Sequence, residues 1–122
     1  MNKLISDILS NILSSKKMRT NRKIDKLKQE VLEGIKLSRR EIENRKKGIE
    51  GESTIEQLKE VIIPDLEDIL LKLDNKIIPK RRVDRYSLAY GNALKMWDWD
   101  MENATELYEK LADIHNDYQD VL

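Results

Sequence analysis

The residues that come closest to a ligand set are Asp98, Asp100, Glu102 and Glu109, which stand at positions one, three, five and twelve of a stretch that begins at Asp98. Oxygen ligands at those positions are the pattern of a calcium loop. The remaining letters depart from it. Position six, where the loop turns sharply and needs glycine, is Asn103, and the following Ala104-Thr105-Glu106-Leu107-Tyr108 favours continuous helix. Asp98 and Asp100 therefore read as carboxylates at a helix start, where they accept from free backbone N–H groups and complement the macrodipole. His115 is the single histidine and cysteine is absent, so no thiolate nucleophile, two-histidine metal site or Ser-His-Asp set assembles. Carboxylates are abundant, but no pair is singled out for acid–base work. The expectation is a chain without catalytic activity, metal, cofactor or evident small-molecule substrate.

Charge is the more informative chemistry. Residues 1–50 hold 14 Lys/Arg against 7 Asp/Glu, and residues 51–122 hold 9 against 16, so a formally neutral chain divides into halves of +7 and −7. Such halves either attract each other or recruit separate partners. The stretch 16–47 carries 13 Lys/Arg and 5 acids, with Lys16, Lys17, Arg19, Arg22, Lys23, Lys26 and Lys28 as a run that can face phosphates. Glu41 precedes Arg45 and Glu43 precedes Lys47 by four residues, the favourable order for pairing on a helix surface, which compensates part of that charge. All six aromatic residues fall at or after Tyr86, so the basic half lacks platforms on which bases stack.

A second basic cluster, Lys80-Arg81-Arg82-Val83-Asp84-Arg85, adjoins those aromatics. Arg81, Arg82 and Arg85, together with Trp99 between its two aspartates, are the candidate partner-binding residues, because an aromatic anchor beside planar bidentate donors is the make-up of an interface hot spot. The competing expectation pairs these arginines with acidic neighbours and lets Trp99 close the end of a core.

Helices must position these groups. The chain has four Gly, two Pro and no Phe, and its apolar residues recur at helical spacing. Leu4, Ile5, Ile8, Leu9, Ile12 and Leu13 mark a short amphipathic helix over residues 3–13, expected either to close the bundle or to dock on a partner or a second copy. Ser14 to Asn21 offers capping residues and reads as a connection, with a continuous helix as the alternative. Ile24, Leu27, Val31, Ile35 and Ile42 stripe a helix over about 22–47, weakened at Gly34 and ended by the glycines of 47–52. Ser53 to Glu56 matches a capping box. The stripe Ile55, Leu58, Ile62, Leu66, Ile69, Leu73 then keeps its phase across Pro64, which predicts one kinked helix rather than two. After a turn at 74–80, a fourth helix is predicted from about Arg81 to Trp97, burying Val83, Tyr86, Tyr90, Leu94 and Trp97. A last helix carries Ala104, Leu107, Tyr108, Leu111, Ile114, Tyr118 and Val121. These elements predict an all-α, antiparallel bundle of four or five helices in a single domain over 1–122, with Leu58, Ile62, Leu66, Ile69, Tyr90, Leu94, Leu107 and Leu111 in its core.

Tyr90-Gly91-Asn92-Ala93, then Trp97-Asp98-Trp99-Asp100 and Glu102 to Leu111, resemble one degenerate tetratricopeptide-type helical hairpin over 86–118. The small Gly91 and Ala104 and the Asp98-Trp99 corner carry the likeness. Without a second copy it implies only a packed helix pair. In its richness in Lys, Ile and Asn the chain is also similar to small uncharacterised all-helical proteins of low-GC Gram-positive, Bacillus-type bacteria. The functional expectation is a helical protein-interaction module, adaptor or regulatory, whose partner is another protein or a second copy of itself. Nucleic-acid binding through 16–47 is the alternative. The N-terminus lacks a continuous hydrophobic signal region and the longest apolar runs are three residues, so no membrane span and a cytoplasmic location are expected.

Overall fold

The computed structural model describes the backbone of residues 2–96 and 105–122, and the side chains of these residues except 2–6 and 12–14. All regular structure in this set is helical: α1 (Asn2–Lys46), α2 (Ile55–Gln57), a π-helical turn (Leu58–Ile62), α3 (Ile63–Asp74), a 3-10 turn (Arg82–Asp84), α4 (Leu88–Met96) and α5 (Glu106–Gln119). Because α2, the π turn and α3 run on without a break, the bundle has four helical rods.

Helix α1 takes the alternative at 14–21, a continuous helix in place of a connection. It is one helix of 45 residues, about 67 Å long at the usual rise. Ser14, Ser15, Thr20 and Asn21 are competent caps, but Lys16, Lys17, Met18 and Arg19 between them favour helix, and an exposed Ser or Asn inside a helix costs only tenths of a kcal/mol. The helix ends where Gly48 takes a positive φ of 82°. There the Ile49 N–H donates to Asn44 O at 2.9 Å and the Gly48 N–H to Arg45 O at 3.1 Å, which closes the last carbonyls in a Schellman arrangement.

The capping box lies one residue later than Ser53 to Glu56. Thr54 is the N-cap: its Oγ1 accepts from the Gln57 N–H, and the Gln57 Oε1 accepts from the Thr54 N–H, both at 3.1 Å. Ser53 is instead occupied by Arg45, whose Nε donates to Ser53 O at 2.7 Å. The helix stays in phase across Pro64 as the stripe predicts, and the device is the π turn. The Ile63 N–H reaches back five residues to Leu58 O, and this widened turn makes room for the proline ring ahead of the carbonyl it would otherwise crowd.

Ion pairs fix the direction of the rods. Lys26 meets Asp117 at 3.7 Å, Glu33 meets Lys110 at 2.8 Å and Arg40 meets Glu106 at 2.7 Å, so α1 and α5 run antiparallel. Lys28 with Asp74 at 3.1 Å and Arg45 with Ser53 at the other end give the same relation between α1 and the α2–α3 rod. The basic first half and the acidic second half thus attract each other within the fold, although pairs as exposed as these add little stability each.

The apolar stripes supply most of the driving force. Ile24, Leu27, Val31, Ile35 and Ile42 of α1, Leu58, Ile62, Leu66, Ile69 and Leu73 of the second rod, and Leu107, Tyr108, Leu111, Ile114 and Tyr118 of α5 are all buried, with Val121 beyond. Gly34 marks a close approach. A Cβ there would stand 2.9 Å from Ile114 Cδ1 and 3.2 Å from Leu66 Cδ1, so the residue that weakens α1 locally lets three rods meet.

The fourth helix departs from expectation. It begins at Leu88, not Arg81, and it buries Ala89, Gly91 and Ala93. Tyr90 is half-buried, Leu94 is exposed, and Val83 and Tyr86, which lie before the helix, are exposed as well. Leu94 leaves the predicted core because Ala93 takes the inward position, and the next residue is turned about 100° away. Trp97, Ala104 and the calcium-loop letters Asp98, Asp100, Glu102 and Asn103 lie outside the described residues.

Candidate partner-binding surfaces

Helix α4 starts where it does because its first N–H groups find acceptors only beyond the cationic run. Ser87 is the local cap, its Oγ accepting from the Tyr90 N–H at 3.2 Å. Asp65 of α3 completes the cap from another rod. Its Oδ2 accepts from Ser87 Oγ and from the Ala89 N–H, both at 2.9 Å. A carboxylate at this end favours the helix dipole, whereas starting at Lys80-Arg81-Arg82 would set three cations against it. Burial nevertheless holds the Asp65 carboxyl above the usual carboxylate range, outweighing the opposing hydrogen bonds from Ala89 and Ser87.

His115 completes this cluster. Its Nδ1 accepts from the Ser87 N–H at 3.2 Å, Tyr90 stacks on the ring at 4.8 Å between centroids, and Tyr86 meets it edge-on at 5.2 Å. Burial, and then the nearby Arg82 charge, lower its pKa, which keeps the ring neutral and its Nδ1 lone pair available. Asp65, Ser87 and His115 are residue types of a nucleophilic triad, but their connections are those of a helix cap: the serine hydroxyl donates to the aspartate, is fully buried, and has no hydrogen bond to the imidazole. Among the described residues, no three His, Cys, Asp or Glu side chains come together to hold a metal ion.

The four predicted partner-binding residues have different fates. Arg81 and Arg82 are exposed. Arg81 pairs with Asp84 through two hydrogen bonds, at 2.8 and 3.2 Å, and Arg82 lies 3.3 Å from Asp120. Arg85 is a correction: it is 4% exposed and turned inward. Its Nη1 donates to Pro79 O and Lys80 O, its Nη2 to Gln119 O, and its Nε to Tyr118 O and Gln119 O, at 2.6 to 3.1 Å. The guanidinium ties the 79–80 turn to the C-terminal carbonyls of α5, where a cation complements the helix dipole. Trp99 lies outside the described residues.

Flanking Arg81 and Arg82 in the chain are exposed apolar residues that sequence reasoning missed. Val83 is 73% exposed, Ile77 and Leu88 are each 62% exposed, and Tyr86 is also exposed. Helical periodicity would have buried Val83 and Tyr86, so they stand out only once the 3-10 turn is known. Between α1 and α5 lies an open groove of about 620 Å³ lined by Lys36, Leu37, Arg40, Glu106, Glu109 and Asp113 among others; its mixed charges favour no one class of ligand.

Six of the thirteen cations in the basic stretch are turned to internal use. Lys23 donates to Asp120 O, Lys26 pairs with Glu30 and Asp117, Lys28 with Asp74, Arg40 with Glu106, Arg45 with Glu41 and Lys46 with Glu43. Lys16, Lys17, Arg19 and Arg22 are exposed and pair with no acid among the described residues.

Glu30 carries a pH dependence. Burial, followed by the facing Asp117 carboxylate, raises its pKa from 4.5 to about 7, against the opposing charges of Lys26 and Lys110. Between those two values the folded chain holds a proton that the unfolded chain has released, so stability falls as pH rises through this window. Glu30→Gln, which mimics the protonated form, is expected to be more stable than the wild type by about 1 kcal/mol at pH 8 and equal to it near pH 4.5. Urea unfolding of both proteins across that range measures the difference, and parallel curves would discard the assignment.

No protein-family model, curated protein or solved structure matches the chain. Among the described residues, no helix is long and apolar enough to cross a membrane.

Proposed function

We propose that the chain is a small helical protein-interaction module, an adaptor or regulator without catalytic activity, which engages a protein partner through the corner formed by residues 77–88. One observation carries this reading: within residues 77–88, Arg81 and Arg82 are exposed and so are the apolar side chains of Ile77, Val83, Tyr86 and Leu88. Arginine and tyrosine beside exposed aliphatics form a surface that gains by desolvation and still offers directional donors, the combination enriched at hot spots. The carboxylates of Asp84 and Asp120 hold both guanidiniums at the surface, and exchanging an intramolecular carboxylate for a partner's costs little at such exposure.

In affinity capture from the native host, Val83→Asp and Arg82→Ala are expected to lose a partner that the wild type retains, with thermal midpoints unchanged because neither side chain is in the core. Loss of stability with partner retention intact would reject the corner. Nucleic-acid binding through 16–47 has less support, since most cations from Lys23 onward are engaged within the fold. Fluorescence anisotropy with generic duplex and single-stranded probes at low salt tests it, and binding that falls steeply with salt would revive it.

A further inference from the structure

Helix α1 outruns its bundle. Asp74, at the end of α3, pairs with Lys28, and Asp120, just past α5, accepts from Lys23, so the antiparallel rods end near these positions. The first buried side chain described in α1 is Ile24. Residues 2–22 therefore extend beyond the packed rods, over about 30 Å. Of the two expectations for residues 3–13, closing the bundle or docking elsewhere, the described side chains favour the second: Ile8 is 50% and Leu9 55% exposed, with Met18 likewise exposed further along.

The extension changes character along a single face. Ile5, Ile8, Ile12, Lys16, Arg19 and Lys23 follow one another at spacings of 3, 4, 4, 3 and 4 residues, so they share one register stripe of the continuous helix. Its first half is apolar and broadened by Leu4, Leu9 and Leu13. Its second half lies in a run of five cations, Lys16, Lys17, Arg19, Arg22 and Lys23, with no acid between Asp7 and Asp25.

We propose that this extension is an interfacial anchor that lies on an anionic lipid surface, with residues 4–13 in the headgroup–acyl boundary and Lys16, Arg19 and their neighbours on the phosphates. The stripe chooses among occupants. A second copy would need a coiled-coil seam sustained for three or four heptads, but the seam positions after Ile5, Ile8 and Ile12 are Ser15, Arg19 and Arg22, which would set like charges together. A nucleic acid satisfies the cations and leaves the apolar face in water. A bilayer edge matches both halves in order: a broad apolar face that is short of a membrane span, with a polar side of mostly Ser and Asn, then a polybasic segment at headgroup level. This surface is separate from the 77–88 corner and stands or falls independently of it.

The test uses the full chain with vesicles of phosphatidylcholine alone and of phosphatidylcholine containing about one-third phosphatidylserine, read by co-flotation. Binding is expected on the anionic vesicles, at least about tenfold weaker on the neutral ones, and to fall about fivefold for each of Lys16→Ala and Arg19→Ala. The double variant Ile8→Asp/Leu9→Asp is expected to abolish it, while circular dichroism shows an unchanged thermal midpoint because both side chains lie outside the core. Val83→Asp is expected to float as the wild type does. Absence of vesicle binding overturns the proposal, as does binding indifferent to Ile8→Asp/Leu9→Asp. So does a dimer in light scattering that this double variant dissolves, or duplex RNA binding that depends on Lys16 and Arg19 without flotation.

Discussion

Arg85→Ala is expected to lower the unfolding free energy by about 3 kcal/mol, measured by urea denaturation, although among the described residues the side chain pairs with no carboxylate. Its five hydrogen bonds go to the carbonyls of Pro79, Lys80, Tyr118 and Gln119, and alanine would leave that group of acceptors short of donors in a buried site. Arg85→Lys is expected to recover only part of the loss, because a compact ammonium cannot span carbonyls that a planar fork reaches from three nitrogens. An alanine variant within about 0.5 kcal/mol of the wild type would show that these carbonyls are satisfied without the clamp.

Asp65→Ala is expected to cost about as much, roughly 2 to 3 kcal/mol, by a different route. The Ala89 N–H and the Ser87 hydroxyl both donate to the same oxygen, Oδ2, so alanine removes two acceptor contacts at once and uncaps α4. Asp65→Asn keeps one carbonyl oxygen able to accept both. Burial already disfavours the ionised carboxyl, so the amide is expected to lose less than about 1 kcal/mol. Equal losses for the two variants would mean that charge, rather than the acceptor, supports the cap.

These two residues also explain where the sequence was legible and where it was not. The stripes of α1, α3 and α5 could be read directly because periodic burial is written locally, and the phase carried across Pro64 was enough to keep 55–74 in one rod. Every predicted core position on those rods is buried. The start of α4 could not be read the same way. It depends on a carboxylate 22 residues upstream of its serine cap and on an arginine 33 residues from the carbonyl it binds, and neither partnership leaves a mark in a local window. Once the helix starts at Leu88 its inward residues are Ala89, Gly91 and Ala93, too small to announce a core face. Val83, Tyr86 and Leu94, whose size suggested burial, are left outside.

The corner was half legible. The arginine cluster drew attention to 80–85, but sequence could not separate Arg85, which serves the fold, from Arg81 and Arg82, which face out. Val83 and Tyr86 beside them were expected in the core. In the N-terminal half of α1 the error ran the other way: capping residues at 14–21 suggested a break, and the continuous helix is what places an apolar segment and a cationic one in a single register.

Site-specific photo-crosslinking in the native host tests the interaction reading most directly. A crosslinking residue placed at Val83 is compared with one placed at Lys47, exposed just past the end of α1 and remote from the corner along the rods. The account predicts discrete protein adducts from position 83 that disappear with Arg82→Ala, and none of the same mass from position 47. No adduct from position 83, or identical adducts from both positions, would contradict it.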